Sequence, residues 1–252
     1  MQLPTPRDLW SVLRMRKIFS LKNASTSNAI PRKIHQLWIS PAHLKAIPDD
    51  VIPQTMAWTE FHPGFKHKIW TIEEAEASLP KARAKQMMEA VRLSRFEAMK
   101  ADIVRLYLLS EFGGFWSDLK VKPRRRWLDD YLDKGLVLVE HFPFGGIPNP
   151  SGTLMNGFFG CAPNNTFVEA CIDQIHKNID MRLSTTIWEV TGPRVFMNVY
   201  SNWGGVSEKK LGGVVIPWSC AWNSFMEMGH GSYSSNHRHW SVREKEESIY
   251  LD

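Results

Sequence analysis

Cysteine is scarce in this sequence: Cys161, Cys171 and Cys220 are the only three among 252 residues. Their odd number and wide spacing exclude a disulfide framework and a cysteine-built zinc site. Long apolar runs are missing as well. The longest clean one, Leu136 to Val139, falls far short of the ~20 residues that span a bilayer. The first residues lack the continuous apolar stretch of a secretory signal, so a reducing cytoplasmic setting is the expectation. There is no internal repeat, no low-complexity block and no nucleic-acid motif. The basic residues are dispersed, so a net charge of +5 and a pI near 9.1 point to an anionic membrane surface or glycolipid, not to nucleic acid.

What is present is an ordinary globular composition, 43% hydrophobic and 23% charged, in a chain long enough to bury a full core. Residues 1–29 read as a basic arm. Within it Leu9, Trp10, Leu13 and Ile18 are interleaved with Arg7, Arg14, Arg16 and Lys17, a pattern that suits either peripheral membrane contact or packing on the domain. Residues 30–252 read as a single α/β domain. Strands are expected over Ile30 to Ile39, Phe65 to Trp70, Leu136 to Val139, Leu154 to Ala162 and Val214 to Trp218. Helices are expected over Ile52 to Trp58, Glu73 to Ala98 with a break at Pro80, Phe167 to Asn178 and Val195 to Trp203. Eleven tryptophans are more than a core of this size needs, and some suit stacking on sugar rings.

The chain is organised around Met99 to Pro123. Phe96, Met99, Ile103, Leu106 and Ser110 fall at helical spacing as the apolar stripe of an amphipathic helix, which Leu109 widens, and Asp102 and Arg105, three apart, share a face of that helix. Gly113-Gly114 supplies a helix stop. Phe115 to Val121 then alternates like a strand, with Trp116, Asp118 and Lys120 on one side. An ion pair on an apolar helix, a glycine stop and an Asp-x-Lys strand end together make one compact polar corner.

This corner resembles the core of the sugar-transferase families that carry a DxD sequence, in particular glycosyltransferase family 32 and the capsular-polysaccharide-synthesis group. More distantly it is similar to the glucosyltransferase domains of the large clostridial toxins. Their pattern has the form S-D-x-x-R-x-x-x-L-x-x-x-G-G-x-Y/W-x-D-x-D. Here it runs Ala101-Asp102, Arg105, Leu109, Gly113-Gly114, Trp116, Asp118, with Lys120 in place of the second aspartate. Ile30 to Ile39 is similar to the opening I-P-K-x-I-H-x-x-W strand, and Thr191-Gly192-Pro193 to the T-G-P of family 32.

The resemblance implies a GT-A-like single domain, a mixed, mostly parallel sheet flanked by helices. Residues 30–123 would bind the nucleotide, and 124–252 would shape the donor-sugar and acceptor pocket. It implies a glycosyltransferase of hexosyltransferase type, moving a sugar from a UDP- or GDP-linked donor to a glycan or glycolipid acceptor with retention, in cell-surface polysaccharide synthesis. The setting would be cytoplasmic, at the inner face of the membrane. By the same resemblance Trp38 stacks on the base, Asp102 and Arg105 meet ribose, sugar or phosphate oxygens, and Asn156 and Trp240 help hold the donor. Read without it, Trp38 can be core and Asp102–Arg105 an exposed ion pair, though stacking and a functional pair are favoured, and Asn156 can equally be a turn cap.

Catalysis would fall to Asp118, Arg105 and Lys120, with Mn or Mg on Asp118 and His239. Two carboxylates at i and i+2 of a strand lie ~6–7 Å apart on one face and can share a divalent ion, but an ammonium repels one. Three alternatives follow. Lys120, with Lys122 or an arginine of Arg124 to Arg126, replaces the metal; or the metal persists on Asp118 with Glu140, His237 or His239; or the chain is a catalytically silent nucleotide-sugar-binding homologue.

Overall fold

The computed structural model describes residues 29–40, 46–141, 153–202, 212–229, 231–232 and 240–251. The basic arm up to residue 28, the Pro/Gly-rich loop over 142–152, His237 and His239 lie outside the described residues.

A six-stranded sheet forms the centre. Its strands are β1 (Lys33–Leu37), β2 (Lys66–Trp70), β3 (Gly114–Ser117), β5 (Leu136–Glu140), β6 (Leu154–Cys161) and β7 (Val214–Ile216), in the order β2-β1-β3-β6-β5-β7. β1 pairs in parallel with β2 and β3, and β5 with β7; β6 runs antiparallel to both β3 and β5. The expected mixed, mostly parallel sheet is therefore present. The carboxyl ends of β1, β3 and β5 and the amino end of β6 all meet at one edge, where open α/β sheets place their ligands.

Helices α1 (Ile52–Phe61), α2 (Ile72–Ser78), α3 (Lys81–Leu93), α4 (Glu97–Phe112), α5 (Thr166–Asp180), α6 (Ile187–Val190) and α7 (Pro193–Asn202) cover the sheet. One apolar layer gathers α3, α4, α5 and α7 around Trp116, Phe159 and Phe167. The other packs Trp58, Phe115, Trp127 and Phe158 on the opposite face. Phe115 and Trp116, adjacent in sequence, thus enter opposite layers, as period-two alternation requires. Among the described residues no helix is long and apolar enough to cross a membrane.

Two expectations are corrected. Helix α4 has no single apolar stripe: Met99 and every residue from Asp102 to Ser110 are buried, because α3, α5 and the sheet enclose it. And Phe115 to Val121 is not one strand. β3 stops at Ser117, a turn follows in which Val121 N donates to Asp118 O at 2.9 Å, and β4 (Val121–Pro123) pairs instead with β8 (Met226–Met228). Asp118 and Lys120 therefore stand on a turn, not side by side on a strand face.

The α4–β3 junction depends on glycine. Gly113 and Gly114 have φ of +57° and +106°, and a Cβ on Gly114 would lie 2.7 Å from Lys33 O, so that position admits no side chain. His35 of β1 accepts from Trp70 Nε1 at 3.0 Å through Nδ1 and lies 3.0 Å from Gly113 O through Nε2. The neutral ring with its proton on Nε2 satisfies both partners.

Candidate active site

At the shared strand edge, α4 projects Asp102 and Arg105 toward the end of β3. Both are almost wholly buried, their side chains 8% and 5% exposed. Burying a guanidinium demands partners, and Arg105 has several. It lies 3.1 Å from Asp102 Oδ1, donates to Asn156 O at 2.7 Å and to Asp118 Oδ1 at 3.2 Å, and sits 5.1 Å from the centre of the Trp116 ring. Its Nε is buried with no hydrogen-bond partner.

Asp102 is met by donors on each oxygen. Asn156 Nδ2 donates to Oδ1 at 2.8 Å and Thr191 Oγ1 to Oδ2 at 2.9 Å. Burial pushes its carboxyl up to about 7, against the lowering effect of Arg105 and of the Thr191 hydroxyl. Asp118 is the open member, with 44% of its side chain exposed. Its Oδ1 also accepts from Trp116 Nε1 at 2.9 Å. Its backbone is fixed by β6 through N–H to Gly157 O at 2.8 Å, and a Cβ on Gly157 would lie 2.8 Å from Asp118 Oδ2.

These groups line a cavity of about 860 Å³ that also takes in Trp38, Lys120, Asn156 and Trp240, within the range of small-molecule and cofactor sites. All the sequence-predicted binding and catalytic residues that fall among the described residues therefore meet in one place. Trp38 is half-buried just beyond β1, its Nε1 donating to Ser40 Oγ at 3.1 Å, so it is not a core residue. Asn156 lies within β6 and does not cap a turn. Trp240 opens the short helix α8 (Trp240–Arg243) at the cavity wall.

Other candidates fall away. Glu140 Oε2 accepts from Trp218 N at 3.3 Å, and Glu140 is not part of the cavity wall. Lys122 and Arg124 both bind Glu227, at 2.7 and 2.8 Å. Arg125 covers the Phe225 ring at 4.9 Å, and Arg126 binds Asp129 at 2.6 Å. Among the described residues no three His, Cys, Asp or Glu side chains come together as a metal site. With Arg105 and Trp116 both on Asp118 Oδ1 and an ammonium two residues on, the described part of the corner does not fit a divalent ion.

Sequence reasoning passed over four contributors: Thr191, Trp116 as a donor, Gly157, and the pair His141–Trp188, whose rings meet edge to face at 5.5 Å on the cavity wall. Thr191 and Trp116 stood inside motifs already noticed. Gly157 and Trp188 carried no signal.

Residues 48–135 match the model of the glycosyltransferase sugar-binding region containing a DXD motif. An uncharacterised glycosyltransferase of Acanthamoeba polyphaga mimivirus is 25% identical over 66% of this chain and 63% of its own length. The mannosyl phosphorylinositol ceramide synthase of Saccharomyces cerevisiae is 25% identical over 82% of this chain and 54% of its own. The chain thus spans only about half to two thirds of the length of these curated relatives. Among solved structures, the PaToxG glycosyltransferase superposes with a TM-score of 0.56 at 16% identity, over 70% of this chain and 71% of that one. The UDP-bound glycosyltransferase domain of the YGT toxin gives 0.54 at 11% identity, over 80% and 83%. The resemblance carried by the Asp102-to-Asp118 corner is thereby met twice over: residues 48–135 are similar to the DXD-type sugar-binding region, and the fold is that of the toxin glycosyltransferase domains.

Proposed function

We propose that the chain transfers a hexose from a nucleotide-sugar donor to a lipid-linked acceptor, with the donor seated in the cavity at the strand edge. The observation that carries this reading is the meeting of Trp38, Asp102, Arg105, Asn156, Asp118 and Lys120 around that one cavity. Trp38 offers a stacking face for the base. Asp118, half-exposed beside the buried Arg105, faces sugar and ribose hydroxyls. Arg105 and Lys120 meet charge that grows on the departing diphosphate.

The UDP-bound toxin domain, which shares this fold, supports a nucleoside diphosphate. An inositol phosphoceramide mannosyltransferase of Schizosaccharomyces pombe, 24% identical over 64% of this chain, and the yeast synthase support a sphingolipid-type acceptor, which lies in a membrane surface. The basic residues of the first 28 positions suit contact with such a surface. Asp102 and Asp118 are both committed to Arg105 and to neutral donors, which favours orientation over nucleophilic attack. The reading includes retention without a covalent sugar–enzyme intermediate: the acceptor oxygen bonds to the anomeric carbon on the face the phosphate leaves, as the bond to phosphate breaks, and the acceptor proton passes to the departing phosphate oxygen.

The second reading, a silent nucleotide-sugar binder, is motivated by Lys120 alone. Purified protein incubated with UDP-glucose or GDP-mannose and inositol phosphoceramide vesicles decides between them. Transfer that disappears in Arg105→Ala supports the transferase; donor binding without turnover supports the silent homologue.

A further inference from the structure

Resting on that reading, we infer that the Lys120 ammonium, not a divalent cation, is the counter-charge for the donor's diphosphate in this chain. The first ground is the charge of the corner. With Asp102 ionised, Asp102, Asp118 and Arg105 together leave one negative charge, which would repel a diphosphate. Lys120, on the same cavity wall, cancels it. An aspartate at that position would leave two negative charges, the amount a divalent ion cancels. The Asp-x-Lys corner without metal and an Asp-x-Asp corner with metal are electrostatically equivalent.

The second ground is geometry. Asp118 Oδ1 already accepts from Arg105 and Trp116 at 3.2 and 2.9 Å, and Oδ2 faces Gly157 so closely that a Cβ there would lie 2.8 Å away. Oδ1 is thus engaged by the protein, and the bare backbone at Gly157 leaves room for Oδ2. The turn that carries Lys120 is held at both ends, by Asp118 N–H to Gly157 O at 2.8 Å and by Gly229 N–H to Lys120 O at 2.7 Å. A fixed backbone under a flexible four-carbon stem is a suitable mount for an ammonium that must follow a phosphate. The third ground is location: in the run from Lys120 to Arg126, Lys122 and Arg124 meet Glu227, Arg126 meets Asp129 and Arg125 covers Phe225, all away from the cavity wall. Lys120 is the member of that run on the cavity wall.

Calorimetric titration of UDP and of GDP, each with EDTA and with Mn²⁺, tests this on the intact chain and on Lys120→Ala, Lys120→Arg and Lys120→Asp. The parent protein should bind one diphosphate equally in both buffers. Lys120→Ala should bind it roughly ten- to a hundredfold more weakly, the usual scale for a charged hydrogen bond, while its affinity for the bare nucleoside is unchanged. Lys120→Arg should restore binding, and Lys120→Asp should bind only with Mn²⁺. Binding by the parent that vanishes in EDTA and returns with Mn²⁺, or full affinity in Lys120→Ala, overturns the inference and leaves the transferase reading standing. Failure of both diphosphates in both buffers overturns the two together.

Discussion

Thr191 donates its hydroxyl to Asp102 at 2.9 Å although 89 positions separate them in the chain. That bond ties the loop before α7 to the buried end of α4 and helps hold Asp102 in the form that Arg105 needs. Thr191→Val keeps the shape and removes the donor, leaving a buried carboxylate oxygen short of a partner, at a cost of about 1–3 kcal/mol. The cost should depend on pH. Asp102 titrates in the fold near 7, above its unfolded value of 3.8, so its contribution to stability is fullest below that lower value and is lost as pH rises through about 7. Loss of Thr191 raises the folded value further. Urea denaturation of parent and variant should therefore differ more at pH 8 than at pH 4; an equal difference at both would show that the bond does not serve the ionised form.

His35 gives the opposite limb. Burial, chiefly, lowers it from 6.5 to about 4, so the fold favours the neutral ring. Stability is complete above pH 6.5 and is lost as pH falls toward 4, by roughly 3 kcal/mol from this group. His62, also buried and lowered to about 4, adds to the same limb. In His35→Gln the acid limb of a thermal-melt series from pH 8 to pH 4 should be shallower than in the parent.

Trp38 lies at the cavity with only part of its surface buried, so its loss should spare the fold. Trp38→Ala should weaken nucleotide binding by about 1–3 kcal/mol, the range of base–aromatic stacking, with a melting temperature close to the parent's. Trp38→Phe should recover most of the affinity. If instead the alanine variant melts much lower with binding intact, Trp38 serves packing.

Gly157→Ala separates site from scaffold. The added methyl would sit 2.8 Å from Asp118 Oδ2, and the half-exposed carboxylate can swing into the cavity to relieve it. That movement breaks the bonds to Arg105 and Trp116. Turnover should fall much more than stability, and kcat more than KM.

Much of this arrangement was legible from the chain. Gly113-Gly114 marked the end of α4 because only glycine takes the positive φ found there, and Asp102 and Arg105 stood out because ions on an apolar helix need partners. The end of β3 was not legible. Leu119 and Val121 are buried, so the alternation of apolar residues runs on through a turn that only the Val121-to-Asp118 hydrogen bond reveals. Trp188 was invisible for a related reason: α6 has four residues, too few to show a period. Thr191 was noticed as part of a motif, but its partner lies on another element, and pattern along a chain says nothing of contacts across it.

The corner draws on α4, the turn after β3, the amino end of β6 and the loop before α7, and β3 meets β6 only by closing the chain between residues 117 and 158. Contacts so distant in sequence form at an entropic cost set by the loops they close. The pocket therefore exists only when those distant segments are all docked, and a donor that bridges its walls acts as a brace on the whole fold: protection from unfolding on adding nucleotide would report that every layer has docked.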